Sequence, residues 1–176
     1  MLVEDVENEL TPLSREVMRE LYEEVVAVDE RVTRADALVQ RVFTQSAACQ
    51  KLATREGVGP VVATALVAAV GNAQEFANGR HLAAWLGLVP RQCSTGGKER
   101  LLGISKRGDR YLRTLLIHGA RATVHWARRK TDARSRGILR LEQRRGKNIA
   151  AVAIANKNAR IAWALLTTEA EYRQAA

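Results

Sequence analysis

The chain has 176 residues, of which 47% are hydrophobic and 27% charged, so it is too short for two full-sized domains and too apolar for wholesale disorder. Its net charge of +9 conceals a division, because residues 1–44 hold 11 acids and 5 bases whereas residues 45–176 hold 8 acids and 23 bases. Cys49 and Cys93 have no CxxC spacing and no paired histidine, which supports neither a disulfide framework nor a zinc site.

Met1 to Glu9 is acidic and lacks the basic start and apolar stretch of a signal peptide, so a cytoplasmic protein is expected. From Leu10 the apolar positions run Leu13, Val17, Leu21, Val25, Val28, Val32, Ala35, Val39 and Val42, in steps of three or four. From Val25 the steps alternate strictly, which is the period of a coiled-coil seam, with Glu23, Glu24, Asp29, Glu30, Arg31 and Arg34 on the flanks. Thr11 and Pro12 read as an N-cap with proline at the first helical position. Such a stripe needs a partner, in this chain or in a second copy; a homo-oligomer formed through residues 10–42 is the favoured expectation.

Gln45 to Arg55 predicts a short helix that ends at Gly57-Val58-Gly59-Pro60, and Val61 to Val70 predicts another. The longest apolar run, Val61 to Val70, is interrupted by Thr64 and is well short of a bilayer span, so no membrane partner is expected. Two helices around Gly57 and Gly59 match a helix-hairpin-helix pattern, in which exposed N–H groups at a glycine turn meet a phosphate without reading bases. A tight turn between packed helices gives the same spacing. Arg80 to Leu88 predicts a further helix, and Arg91 to Gly108, with no sustained period, reads as a loop. Asp109 caps a helix to about Arg129; Ser135 to Arg145 and Asn148 to Thr168 are two more, split at Gly146. The expected fold is all-α: a coiled-coil helix over residues 1–44, then a compact helical domain over residues 45–176.

Arg91 to Lys147 carries 17 bases against 4 acids, a surplus suited to a polyanion, since each neutralised phosphate releases condensed counterions. Nucleic acid is therefore the leading partner, with a merely solubilising surface as the alternative. In Gln92-Cys93-Ser94-Thr95-Gly96-Gly97-Lys98, with Arg100, Lys106 and Arg107 following, a hydroxyl, glycine N–H groups and cations gather. They could serve nucleophilic attack on a phosphodiester, or the segment could be a basic loop that only touches phosphate. His118 and His125 lie seven apart on one helix face with no third ligand, which favours packing or surface roles over metal binding. Trp85, Trp126 and Trp163 fall in apolar patterns and are expected in the core. Lys157 and Arg160 are either phosphate contacts or a solvated flank.

The run GVGPVVATALVAAVGNAQEFANGRHLAAWLGLVPRQCSTGGKERLLGISKRGDRYLRTLLIHGARA, with NKNARIAWALL near the end, resembles the C-terminal part of insertion-sequence transposases of the IS-one-ten group. The likeness extends over about residues 10–173. It implies a DNA recombinase with an N-terminal nuclease-like domain carrying four metal-binding acids, a coiled coil, and a C-terminal domain with a catalytic serine, guided by a structured bridge RNA. Carried onto this chain, it puts Ser94 at the nucleophile position, with Thr95 the neighbouring alternative. The acidic domain has no counterpart in this sequence. The expectation is thus a truncated or separate C-terminal piece with no metal site or cofactor of its own, magnesium belonging to the acidic domain, and with DNA and guide RNA as partners.

Overall fold

The computed structural model describes residues 10–95 and 98–168, and those residues form seven α-helices and one two-stranded antiparallel sheet. The chain separates into two compact units between Arg41 and Val42.

Helix α1, Pro12–Gln45, accounts for the described part of the first unit and runs into the second. It begins as its sequence dictates. Proline needs no N–H donor at the first position, and the Ser14 amide donates to Thr11 Oγ1 at 3.2 Å. None of its 34 residues is buried. Leu13, Val17, Leu21, Val25, Val28, Val32 and Val42 are between 42% and 69% exposed, while Arg31 to Glu24 (3.1 Å) and Arg34 to Glu30 (3.6 Å) pair along the flanks.

The second unit is a helical bundle built around α7. Helix α2 is Ala47–Ala53, α3 Pro60–Val70, α4 Gly79–Trp85, α5 Arg110–Ala127, α6 Ala133–Arg145 and α7 Lys147–Thr167. The breaks follow local chemistry: Ser46, Asn78, Asp109 and Asp132 each accept a backbone N–H of the first turn that would otherwise be unpaired. Helix α7 packs against α2, α4, α5 and α6. It can do so because its buried face is small: Ala150, Ala151, Ala155, Ala159 and Ala162 are 0–2% exposed. Larger side chains from the surrounding elements complete the core, among them Leu52, Leu66, Leu82, Leu86, Leu112 and Leu116, each contributing about 1.5–3 kcal/mol. By length and composition alone α7 could cross a membrane, an exception to the expectation that no segment could. It is instead the central helix of the bundle, with Lys157 and Arg160 on its exposed side.

The second unit departs from the sequence reading in two places. The segment after Arg91 is not a loop, and the fold is not purely α, because β1 (Pro90–Thr95) and β2 (Lys98–Ile104) form an antiparallel hairpin. The register pairs Gln92 with Leu101, Cys93 with Arg100, Ser94 with Glu99 and Thr95 with Lys98. Burial explains why no alternation is visible: Arg91, Gln92, Cys93, Arg100, Leu101, Leu102 and Gly103 are all exposed, so neither face had to be made apolar. Trp85 and Trp126 are not core residues, being 38% and 52% exposed. The buried stripe of α5 is Leu112, Leu116, Ala120, Val124 and Ala127, and Trp126 falls one position to its side. Trp163 is half-buried, and its Nε1 donates to the Ala73 and Phe76 carbonyls (3.1 and 2.9 Å).

Candidate nucleic-acid interface

Two constellations were expected from the sequence, the Gly57–Pro60 turn and the Ser94 segment with its basic continuation. The turn joins α2 to α3. Gly57 has φ +84°, and a Cβ there would lie 2.6 Å from Thr123 Oγ1 and 2.7 Å from the Gly119 carbonyl. The close approach to α5 is by itself enough to require glycine at 57. Gly119 is the reciprocal half of the contact, since a Cβ on it would sit 1.9 Å from the Gly57 carbonyl. Gly59 differs: it is exposed, has open space around it and precedes Pro60 at the start of α3, where no side chain caps the helix.

The turn is fixed from behind by polar contacts. Asn158 of α7, fully buried, donates to the Glu56 carbonyl (3.1 Å) and accepts from Arg55 Nε (2.8 Å). The Glu56 carboxylate pairs with Lys130 and Arg134. Burial pushes that carboxyl up, but the Lys130 hydrogen bond and the Arg134 and Lys130 charges outweigh it and hold the group below its ordinary range.

The hairpin is held at its base. The Ser105 amide donates to the Val89 carbonyl (2.8 Å) and the Lys106 amide to the Gly87 carbonyl (3.2 Å). Lys106 itself has φ +56°, a left-handed conformation that is uncommon outside glycine. Its neighbours explain how it is held: a Cβ on Gly87 would lie 2.1 Å from the Arg107 carbonyl, and one on Gly108 would lie 1.8 Å from the Trp85 carbonyl. The chain from Lys106 to Gly108 is thus clamped on the end of α4, with the Lys106 and Arg107 side chains exposed. Arg100 is exposed on β2. Gly96 and Gly97 lie outside the described residues. Positions alternate between faces along a strand, so the register puts position 95 on the hairpin face of Arg100 and position 94 on the other.

Helix α5 links the two constellations, since its N-terminus follows Gly108 and its middle packs on Gly57. The Gly57–Gly119 partnership escaped the sequence reading; a glycine in the interior of a helix was the available signal. Along the other side of the hairpin, a groove of about 680 Å³ is lined by Pro90, Leu101, Ile104, Arg145, Ile149 and Asn156. Lys157 and Arg160 are exposed and line a second groove, of about 650 Å³, with Asn78 and Arg80. His118 and His125 are exposed on α5. Among the described residues no three His, Cys, Asp or Glu side chains converge on a point that could hold a metal ion.

The segment that contains the turn, the hairpin and α5 is also the one that matches a known family: residues 49–136 match the model of the transposase IS116/IS110/IS902 family. The chain belongs to that transposase family. It is 55% identical over 158 residues to a probable family 20 transposase of Pseudomonas aeruginosa, covering 90% of this chain and 47% of that protein. To the transposase for insertion sequence element IS1111A of Coxiella burnetii it is 47% identical over 164 residues, covering 93% and 45%. The transposase for insertion sequence element IS1328 of Yersinia enterocolitica is 34% identical over 161 residues, with 92% and 48% covered. The chain spans about half the length of these transposases.

Proposed function

We propose that this chain is the part of a transposase that grips DNA through its phosphates and supplies a serine nucleophile, Ser94, for strand cleavage and exchange. The observation that carries the reading is the exposed hairpin bearing Ser94, clamped at Lys106–Gly108 within the stretch that matches the transposase family. The hairpin is exposed at 91–93 and 100–103 and held at its base, which supports a role in presenting a reacting group to a long polyanion in a fixed orientation. In the step itself the Ser94 oxygen bonds to phosphorus, one bridging oxygen departs with the hydroxyl proton, and a strand end stays attached as a serine phosphodiester. Lys106, Arg107 and the N–H groups of Gly96 and Gly97 would stabilise the added negative charge, while Lys98 and Arg100 would hold flanking phosphates. Gly59 at the start of α3 offers a second phosphate contact. The bare stripe of α1 favours self-association, and a guide RNA is a further partner that the resemblance implies.

The second reading is a binding and dimerisation module without chemistry, favoured by the register, which puts position 94 on the hairpin face opposite Arg100. Incubation with supercoiled DNA, the acidic domain of a full-length relative being supplied in trans, separates the two. The enzyme reading predicts a protein–DNA covalent adduct that Ser94→Ala abolishes while leaving binding within a few-fold. Loss of the adduct on Thr95→Ala alone moves the nucleophile by one residue, and an adduct unaffected by either change leaves the binding module.

A further inference from the structure

Helix α5 contains no acid, and its solvent side is a regular stripe: Arg110, Thr114, His118, Arg121 and His125 are all exposed, at steps of four, four, three and four. Those steps keep the residues on one helical face, one per turn of about 5.4 Å, over a rise of about 22 Å. Arg110 and Arg121 form no ion pair among the described residues, although Arg128, just beyond the helix, pairs with Glu142 at 2.8 Å. Cations left without acids on a helix that otherwise faces the core are positioned for an anion from outside.

A second observation is independent of charge. Tyr111 and Trp126 flank this stripe and are 61% and 52% exposed. The Arg129 guanidinium lies 4.7 Å from the centre of the Trp126 ring, and Trp126 also walls a groove of about 310 Å³ with Gly57, Thr123 and Lys130. Large aromatic side chains left in water beside unpaired arginines offer stacking surfaces to bases. A duplex has no use for them, because its bases are already stacked on each other.

We propose that the outer face of α5 binds a single strand of nucleic acid, with phosphates along Arg110, His118 and Arg121 and bases stacked on Tyr111 and Trp126. The strand would run between the clamped Lys106–Gly108 segment and the Gly57 turn, which α5 joins. The inference rests on the proposed function only for the class of ligand, and the experiment separates the two.

Full-length chain is titrated with labelled oligo(dT), oligo(rU) and a duplex of the same length. Trp126→Ala is expected to weaken the better-bound single strand at least about fivefold, the lower end of a base–aromatic stack, and the duplex less than twofold. Trp126→Phe keeps a ring and is expected to restore most of the affinity, which a merely misfolded variant would not show. Arg110→Ala with Arg121→Ala is expected to flatten the slope of log affinity against log salt by about 1.4, for two lost single-strand phosphate contacts. Preference for oligo(dT) or oligo(rU) identifies the strand as DNA or RNA. The inference is overturned if both sets of changes leave single-strand affinity within twofold, or if Trp126→Ala weakens the duplex equally. Should changes at Arg100, Lys106 and Arg107 weaken binding while α5 changes do nothing, the hairpin reading stands and this one falls. A wild-type chain that binds none of the three removes both.

Discussion

Helices α1 and α7 are the two longest in the molecule, 34 and 21 residues, and both have long apolar patterns, yet none of the first is buried while α7 buries eight of its residues. The difference lies in what the apolar positions are made of. In α7 they are mostly alanines, which let neighbouring helices approach from several sides, and the buried Asn158 ties the helix to the Glu56 turn. In α1 they are mostly valines and leucines along one side, between charged flanks, a shape suited to one long partner and not to the centre of a bundle. Apolar periodicity alone says that a helix buries a face; side-chain size and the width of the stripe say against what.

Overfilling α7 gives the largest effect. Ala159→Leu adds three carbons at a position with no exposure and should cost about 3 kcal/mol, lowering the melting temperature of the bundle by roughly 10 °C. An unchanged melting temperature would mean that α7 is not the packing centre. The counterpart in α1 should leave the bundle alone: Val28→Asp with Val32→Asp is expected to convert an associated species to monomer in sedimentation, with the bundle melting as before. A wild-type chain that sediments as a monomer at tens of micromolar would show that the seam is not an association surface.

A smaller effect is expected at the turn that α7 supports. Glu56→Gln removes the charge from two ion pairs and should cost about 1 kcal/mol at neutral pH. Because the folded carboxyl is held below its ordinary range, its contribution is present above the unfolded carboxyl's pKa and is lost as pH falls through the folded value. The gap between wild type and Glu56→Gln in thermal melts should therefore close in acid, and a gap that widened there would contradict the assignment.

The helices were legible because their ends carry local signals: Thr11 and Pro12, Asp109 and Gly146 mark real boundaries. The hairpin was not, since residues exposed on both faces at 91–93 and 100–103 have no alternation to display, and the Gly96-Gly97 dipeptide between Thr95 and Lys98 was its one sequence signal. Trp85 and Trp126 were misplaced for a related reason. Hydrophobicity does not distinguish a residue on the buried stripe from one at its edge, and on α5 a single position separates Trp126 from buried Ala127. At the candidate site the residue types and their order could be read directly. The physical cause of Gly57 could not, because its partner Gly119 is far away in sequence.

A second unit that grips nucleic acid through its phosphates must have a DNA affinity that depends steeply on salt. With 17 bases against 4 acids between Arg91 and Lys147, six or more phosphate contacts are expected, and affinity should fall on the order of a thousandfold between about 50 and 200 mM salt. A fall of less than roughly tenfold over that range would contradict the account.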